Sequence, residues 1–246
     1  MRLPAIQGEI ERRILVNYRV DARVIPSFLP FPFKPKLVDG YAIAGICLIR
    51  LTHMRPSGFP AFIGIGSENA AHRIAVEWDQ AGEPFSGVYI PRRDTSSPLF
   101  ALAGGRIFPG VHHLGRFIIH ESDQDYEIRV LHQSHLLMKV NAQVVDALPA
   151  SSIFKDLAAA SAFFESGSLG YSATNNPARY DGLELQTHQW QVQPLDVSQV
   201  YSHFFEDSGE FPAGSVEFDC ALLMRNIPHE WHDYGQMSAQ NTATYI

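Results

Sequence analysis

The chain has 246 residues, with 19 Lys and Arg against 26 Asp and Glu, a net charge of −7, and 46% hydrophobic against 18% charged residues. That balance excludes a disordered chain and gives enough length to bury a core without disulfide or metal staples. It argues against a nucleic-acid backbone as partner, and no run of eighteen apolar residues marks a membrane span.

The total charge hides an asymmetry. Residues 1–123 hold 14 of the basic and 11 of the acidic side chains, and twelve of the fifteen arginines, while the whole chain has four lysines. A guanidinium is a rigid fork suited to carboxylates, so the first half is where an anion site is sought. Met1 to Val20 carries Arg2, Glu9, Glu11, Arg12 and Arg13, which is not a signal-peptide pattern, and a cytoplasmic location is expected. Cys47 and Cys220 lie far apart in apolar runs and form no C-x-x-C pair, so they read as small core residues.

In chain order, the dominant period is two. Strands are expected at Arg13–Arg19, Tyr41–Thr52, His72–Trp78, Gly87–Ile90, Gly115–Glu121, Tyr126–His132, Leu137–Val145 and Val216–Met224, punctuated by Pro-Ser-Gly, Gln-Ala-Gly and Asp-Gln-Asp turns. Asp21 to Phe28 reads as a short helix bent by Pro26, and Ser151–Glu165 as a full helix capped by Ser151 or Ser152. Successive strands with few helices imply one α+β domain over residues 1–246, a mainly antiparallel sheet folded on itself with helices at its side. Such a barrel can enclose a ligand cavity.

Three segments carry candidate chemistry. Gly104 to His113 sets glycines around Arg106 and ends in His112-His113, an anion anchor beside an acid–base group. Gly66 to Arg73 places Glu68 and His72 on one face of a strand. Pro91 to Ser97 contains Arg92, Arg93 and Asp94, a loop after a strand that could pair an arginine with an acidic ligand, although an Arg–Asp ion pair holding the loop is the commoner outcome. Gly64-Ile65-Gly66 lacks the third glycine of a dinucleotide fingerprint, and His229-Glu230-Trp231-His232 has its histidines three apart instead of four. No cofactor or metal is called for by the pattern.

These residues, with Ile14–Asp21, Tyr41–Ile46, Tyr89–Ser97, Phe211–Asp219 and Ala221–Met224, resemble the YqjF-like proteins, grouped with the acetoacetate decarboxylase-like superfamily. The resemblance covers nearly the whole chain and implies a cone-shaped antiparallel β-barrel with flanking sheet and helices. The decarboxylases carry a Gly-Arg-Glu-x-x-Gly-x-Pro-Lys signature whose first Lys forms a Schiff base. Gly105-Arg106 and Gly110 match it, while Ile107 stands in the place of the Glu, His112 of the Pro and His113 of the Lys. Glu68 aligns with a cavity glutamate of that family, and Arg12 or Arg13 with its cavity arginine.

Imidazole cannot form an imine, and of Lys34, Lys36, Lys139 and Lys155 only Lys139 lies in an expected strand. The expectation is a protein that binds a small anionic molecule, with His113 and Glu68 as acid–base groups and Arg106, His112 and Arg13 holding the ligand. It would act on a small carboxylate or keto acid without a Schiff-base lysine. The alternative is a binding module that has lost the decarboxylase lysine; a metal site using His72 and Glu68 with one of the paired histidines ranks third. A homo-oligomer is compatible with either of the first two.

Overall fold

The computed structural model describes residues 5–104, 109–187, 189–207 and 209–239. Its strands are, in order, β1 (Ile6–Asp21), β2 (Lys34–Pro35), β3 (Leu37–Val38), β4 (Tyr41–Pro56), β5 (Ile65–Gln80), β6 (Glu83–Thr95) and β7 (His112–Leu114). They continue as β8 (Arg116–Glu121), β9 (Asp125–His132), β10 (His135–Val144), β11 (Leu169–Ala173), β12 (Arg179–Thr187), β13 (Gln193–Ser202) and β14 (Val216–Ser238). Two α-helices complete the described fold, α1 (Pro98–Ala103) and α2 (Leu157–Glu165). No helix among the described residues is long and apolar enough to cross a membrane.

The hydrogen-bonded order β1-β4-β5-β6-β11-β12-β14 returns to β1, because β14 also pairs antiparallel with β1 from Ile6↔Trp231 to Val20↔Val216. These seven strands close a ring, and β13, β10, β9 and β8 extend from β14 as a flanking sheet. Among the described residues, only β6–β11 and β6–β7 pair in parallel. Closure satisfies the edges that an open sheet of this width would expose.

Alternation divides each ring strand between two cores. One face buries Ile14, Val16, Ile46, Ala70, Ile74 and Tyr171 with Ile128, Val130, Met138 and Val140 of the flanking sheet. The opposite face buries Leu15, Cys47, Ala71, Ala75 and Leu222 against Phe154 and Phe164. Burying each phenylalanine stabilises the fold by roughly 1.5–3 kcal/mol.

The helices sit over this second face. α2 starts at Asp156, whose carboxylate accepts from Ala159 N at 2.8 Å, so the helix begins later than the Ser151 or Ser152 cap expected from sequence. Ser152 instead donates to Asp219 at 2.8 Å. α1 is capped by Ser97 and brings Phe100 into a third cluster with Ile10, Leu51 and Met224. The segment from Asp21 forms only a single 3-10 turn, Ile25–Phe28, with Pro26 in its first turn.

Candidate functional site

A cavity of about 100 Å3 lies inside the ring. Every ring strand contributes to its wall: Arg13 of β1, Cys47 of β4, Ala71 of β5, Arg93 of β6, Gly170 of β11, Leu183 of β12 and Trp231 of β14. The space exists because the strands place small side chains in register. Leu15, Cys47, Ala71, Arg93 and His112 form one cross-strand row, with Cys47 and Ala71 as its floor. Two chambers of about 30 Å3 flank it. One is lined by Arg13, Arg73, Phe163 and Phe164, the other by Arg93, His112, Phe100 and Asp233.

Arg93 reaches this space through a bulge. Ile74 pairs with Tyr89 but His72 pairs with Arg92, so β6 carries one extra residue, beside Pro91. The extra residue reverses the alternation: Val88 and Ile90 face the lumen above it and Arg93 below it. Arg92 and Asp94 turn to the other side, where Arg92 grips the fully buried Asp94 through two bonds of 2.8 and 2.9 Å.

Three arginines therefore line the lumen, and among the described residues none has a carboxylate within ion-pair distance. Arg93 Nε donates to Ser172 Oγ at 2.8 Å. Arg73 bonds Asn17 Oδ1, stacks over Phe164 at 4.8 Å and leaves Nε unpartnered. Arg13 Nε donates to Cys47 Sγ at 3.4 Å, lies over Trp190, and leaves Nη1 unpartnered. Burial lowers Arg73 and Arg93 to about 10, which still leaves both cationic at neutral pH. Desolvated cations without counter-ions are costly, and a bound anion would offset that cost.

His112 completes the constellation. Its Nδ1 lies 3.1 Å from the carbonyl of Gly110, which can only accept, so Nδ1 carries the proton and Nε2 presents a lone pair. Burial, then the charge of Arg93, lowers its pKa to about 4. Gly110 holds the geometry: its φ is +80°, and a Cβ there would lie 2.6 Å from Ser172 Cβ.

The structure separates the residues singled out from sequence. Arg13 and His112 line the cavity together. Glu68 does not join them. It projects to the outer face of the ring, where Arg12 and Arg50 both bind it and also bind Glu121 of β8. Of the two neighbours, Arg13 lines the lumen, and Arg12, 2% exposed, faces this ion cluster. His113 lies opposite Asp94 in register and stacks toward His132, on the side away from His112.

His72 also faces outward, bonding Ser202 at 3.0 Å among Phe204 and Phe205. Among the described residues, no three His, Cys, Asp or Glu side chains form a metal-binding group. Arg106 lies outside the described residues. Lys139 sits on the solvent side of β10, between the buried Met138 and Val140. Lys36 borders the Arg13–Arg73 chamber and packs on Phe163, and no described lysine lines the central cavity.

Sequence reasoning did not single out Arg73, and weighed Arg93 only within a segment that could pair an arginine with an acidic ligand. For Arg73 the signal was present, a lone cation inside the apolar strand beginning at His72. For Arg93 it was hidden by the bulge.

Solved structures share this architecture. An acetoacetate decarboxylase from Legionella pneumophila superposes with a TM-score of 0.64 at 10% identity, over 95% of this chain and 86% of that one. An acetoacetate decarboxylase-like enzyme from Sphingomonas wittichii RW1 gives 0.63 at 11%, over 96% and 94%. The enduracididine biosynthesis enzyme MppR, complexed with pyruvate, gives 0.61 at 11%, over 99% and 93%. At these identities the likeness establishes the fold, an α+β and mainly antiparallel acetoacetate decarboxylase-like one. No curated protein matches the chain. The family DUF2071, described as an uncharacterised conserved protein, matches residues 8–218, and the chain belongs to that family.

Proposed function

We propose that the protein binds a small carboxylate or keto acid in the ring lumen and moves a proton on it through His112. The observation that carries this reading is the convergence of Arg13, Arg73 and Arg93, all without carboxylate partners, on a cavity that also holds a neutral imidazole. The arginines supply the anion's counter-charge. His112 supplies a base whose ring is oriented by Gly110.

At a pKa of about 4 His112 is a weak base. A bound anion would partly cancel the field of Arg93 and raise that value toward the operating range. Arg93, in the same chamber, would then stabilise the negative oxygen formed when a proton leaves the carbon beside a keto group. That MppR, on the same fold, is complexed with pyruvate supports a keto acid as the class of ligand.

The test is exchange of the methyl protons of pyruvate in D2O, followed by proton NMR. Faster exchange with the protein than with buffer, lost in His112→Ala, is the expected result. Saturable pyruvate binding without exchange would establish the binding module instead. Neither binding nor exchange would reject the reading.

A further inference from the structure

We propose that the lumen is built for a ligand with two carboxylates, one held at the Arg13–Arg73 end and the other at the Arg93–His112 end. This rests on the reading that the lumen binds a carboxylate, and adds the number and placement of charges on the ligand.

The two ends are distinct in the wall. Arg13 and Arg73 share the chamber closed by Phe163 and Phe164, which Arg93 does not line. Arg93 and His112 share the chamber closed by Phe100, which Arg13 and Arg73 do not line. The central cavity, over Cys47 and Ala71, shares Arg13 and Arg73 with the first chamber and Arg93 and His112 with the second. In the sheet, Arg93 pairs with Ala71, two residues from Arg73 on the neighbouring strand, a diagonal of about 7–8 Å between backbones. Arg13 roots three strands away from Arg93, about 14 Å across the sheet. The two ends open on separate chambers, and a short carbon chain with an anionic group at each end reaches both.

Charge leads to the same answer. Among the described residues, Asp94 borders the cavity but is held by Arg92, and Asp233 lines the Arg93–His112 chamber without coming within ion-pair distance of Arg93. A monoanion would leave two of the three lumen cations without a counter-ion. A dianion leaves one, and Arg73 already has Asn17 and the face of Phe164. The middle of the lumen, with Ala71, Val88 and Ile90, suits the apolar chain between two carboxylates.

Isothermal titration of the intact protein at low ionic strength tests this with succinate, glutarate, monomethyl succinate, acetate, pyruvate and inorganic phosphate. Succinate or glutarate should bind at least tenfold tighter than monomethyl succinate, which keeps the shape and loses one charge. In Arg73→Met and in Arg93→Met this advantage should shrink to under threefold while monoanions still bind. The comparison of succinate with its monoester needs no variant, so it stands if either substitution prevents folding. Equal binding of the diacid and its monoester would overturn the proposal and leave the carboxylate reading intact. Phosphate binding tighter than every dicarboxylate would overturn it in favour of a compact dianion. Binding of none of these anions would reject both.

Discussion

His112 and His113 are adjacent in the chain and face opposite sides of the ring. β7 runs parallel to β6 with His112 beside Arg93 and His113 beside Asp94. One imidazole therefore shares the lumen with unpaired arginines, and the other shares the outer side with an arginine already bound to its carboxylate. The alternation of a strand assigns them different environments with no difference in sequence context.

The first prediction follows from that pair. His112→Ala should abolish anion-dependent proton exchange, whereas His113→Ala should retain at least half of it. Parallel exchange assays on the two variants decide the matter. Loss in His113→Ala alone would transfer the role to the other face.

Glu68 should matter for stability and not for ligand. It accepts from Arg12 and Arg50, with its side chain 14% and that of Arg12 3% exposed. Removing one partner of a buried pair leaves an uncompensated charge. The partial exposure here sets the expected cost of Glu68→Gln at about 2–3 kcal/mol, below that of a fully buried pair. Denaturant unfolding measures it, and succinate affinity should change less than twofold. A large loss of affinity at unchanged stability would place Glu68 in the site after all.

Much of the ring was legible because its strands bury one face in each of two cores. Tyr41–Pro56 and Ile65–Gln80 hold the continuous buried stretches, Ala42–Leu48 and Ala70–Val76, that burial on both faces requires, and both extend beyond the expected bounds into polar hairpin ends. β11, β12 and β13 escaped notice. Leu-Gly-Tyr-Ser-Ala is short, Arg179–Thr187 alternates around Gly182, and Gln193–Ser202 is mostly polar, so each takes its conformation from its neighbours in the ring. The site was legible as an excess of arginine in the first half, and as His112 and Arg13 individually. Which cations meet in the lumen depends on the bulge beside Pro91 and on the parity of each strand, and a one-residue shift reverses both.

Stability should fall as pH drops from about 6.5. His72, His112 and His229 are held neutral, chiefly by burial, at about 3, 4 and 4. All three lie below the ordinary value near 6.5, so between the two limits the unfolded chain binds more protons than the folded one. Their contribution is complete above about 6.5 and is lost as pH falls toward the folded values. With up to three protons the slope approaches about 4 kcal/mol per pH unit. His229 is 2% exposed, so His229→Phe should remove one proton from this slope. Urea unfolding from pH 5 to 7 measures the change, and an unaltered slope would contradict it.

Incubation with pyruvate and borohydride should leave every lysine unmodified. The central cavity has no described lysine in its wall, and Lys36, the nearest, borders a chamber on the far side of Arg13 and Arg73. Peptide mass mapping after reduction is the check. A pyruvyl adduct on Lys36 would reinstate an imine route, with that amine's pKa lowered by burial as the physical reason.

Gly110→Ala should disturb the site through the backbone. The residue has φ of +80°, where an L side chain is strained, and its amide donates to Asp181 Oδ2 at 2.9 Å, fixing the segment that carries His112. A methyl group at Gly110 would meet Ser172 Cβ at 2.6 Å and its Oγ at 3.1 Å, with Arg93 Nε only 3.5 Å away. Strain and contact together should cost about 1–3 kcal/mol. The more telling effect is chemical. Displacing Ser172 breaks the hydrogen bond that steers Arg93, and shifting the Gly110 carbonyl frees Nδ1 of His112. The variant should therefore lose at least tenfold in anion affinity and in proton exchange together, while Gly214→Ala, also at φ +80° but with open space around its Cβ, should lose only stability. Calorimetry and NMR exchange on the two variants separate backbone strain from damage to the site, and equal effects in both would refute a steering role for Gly110.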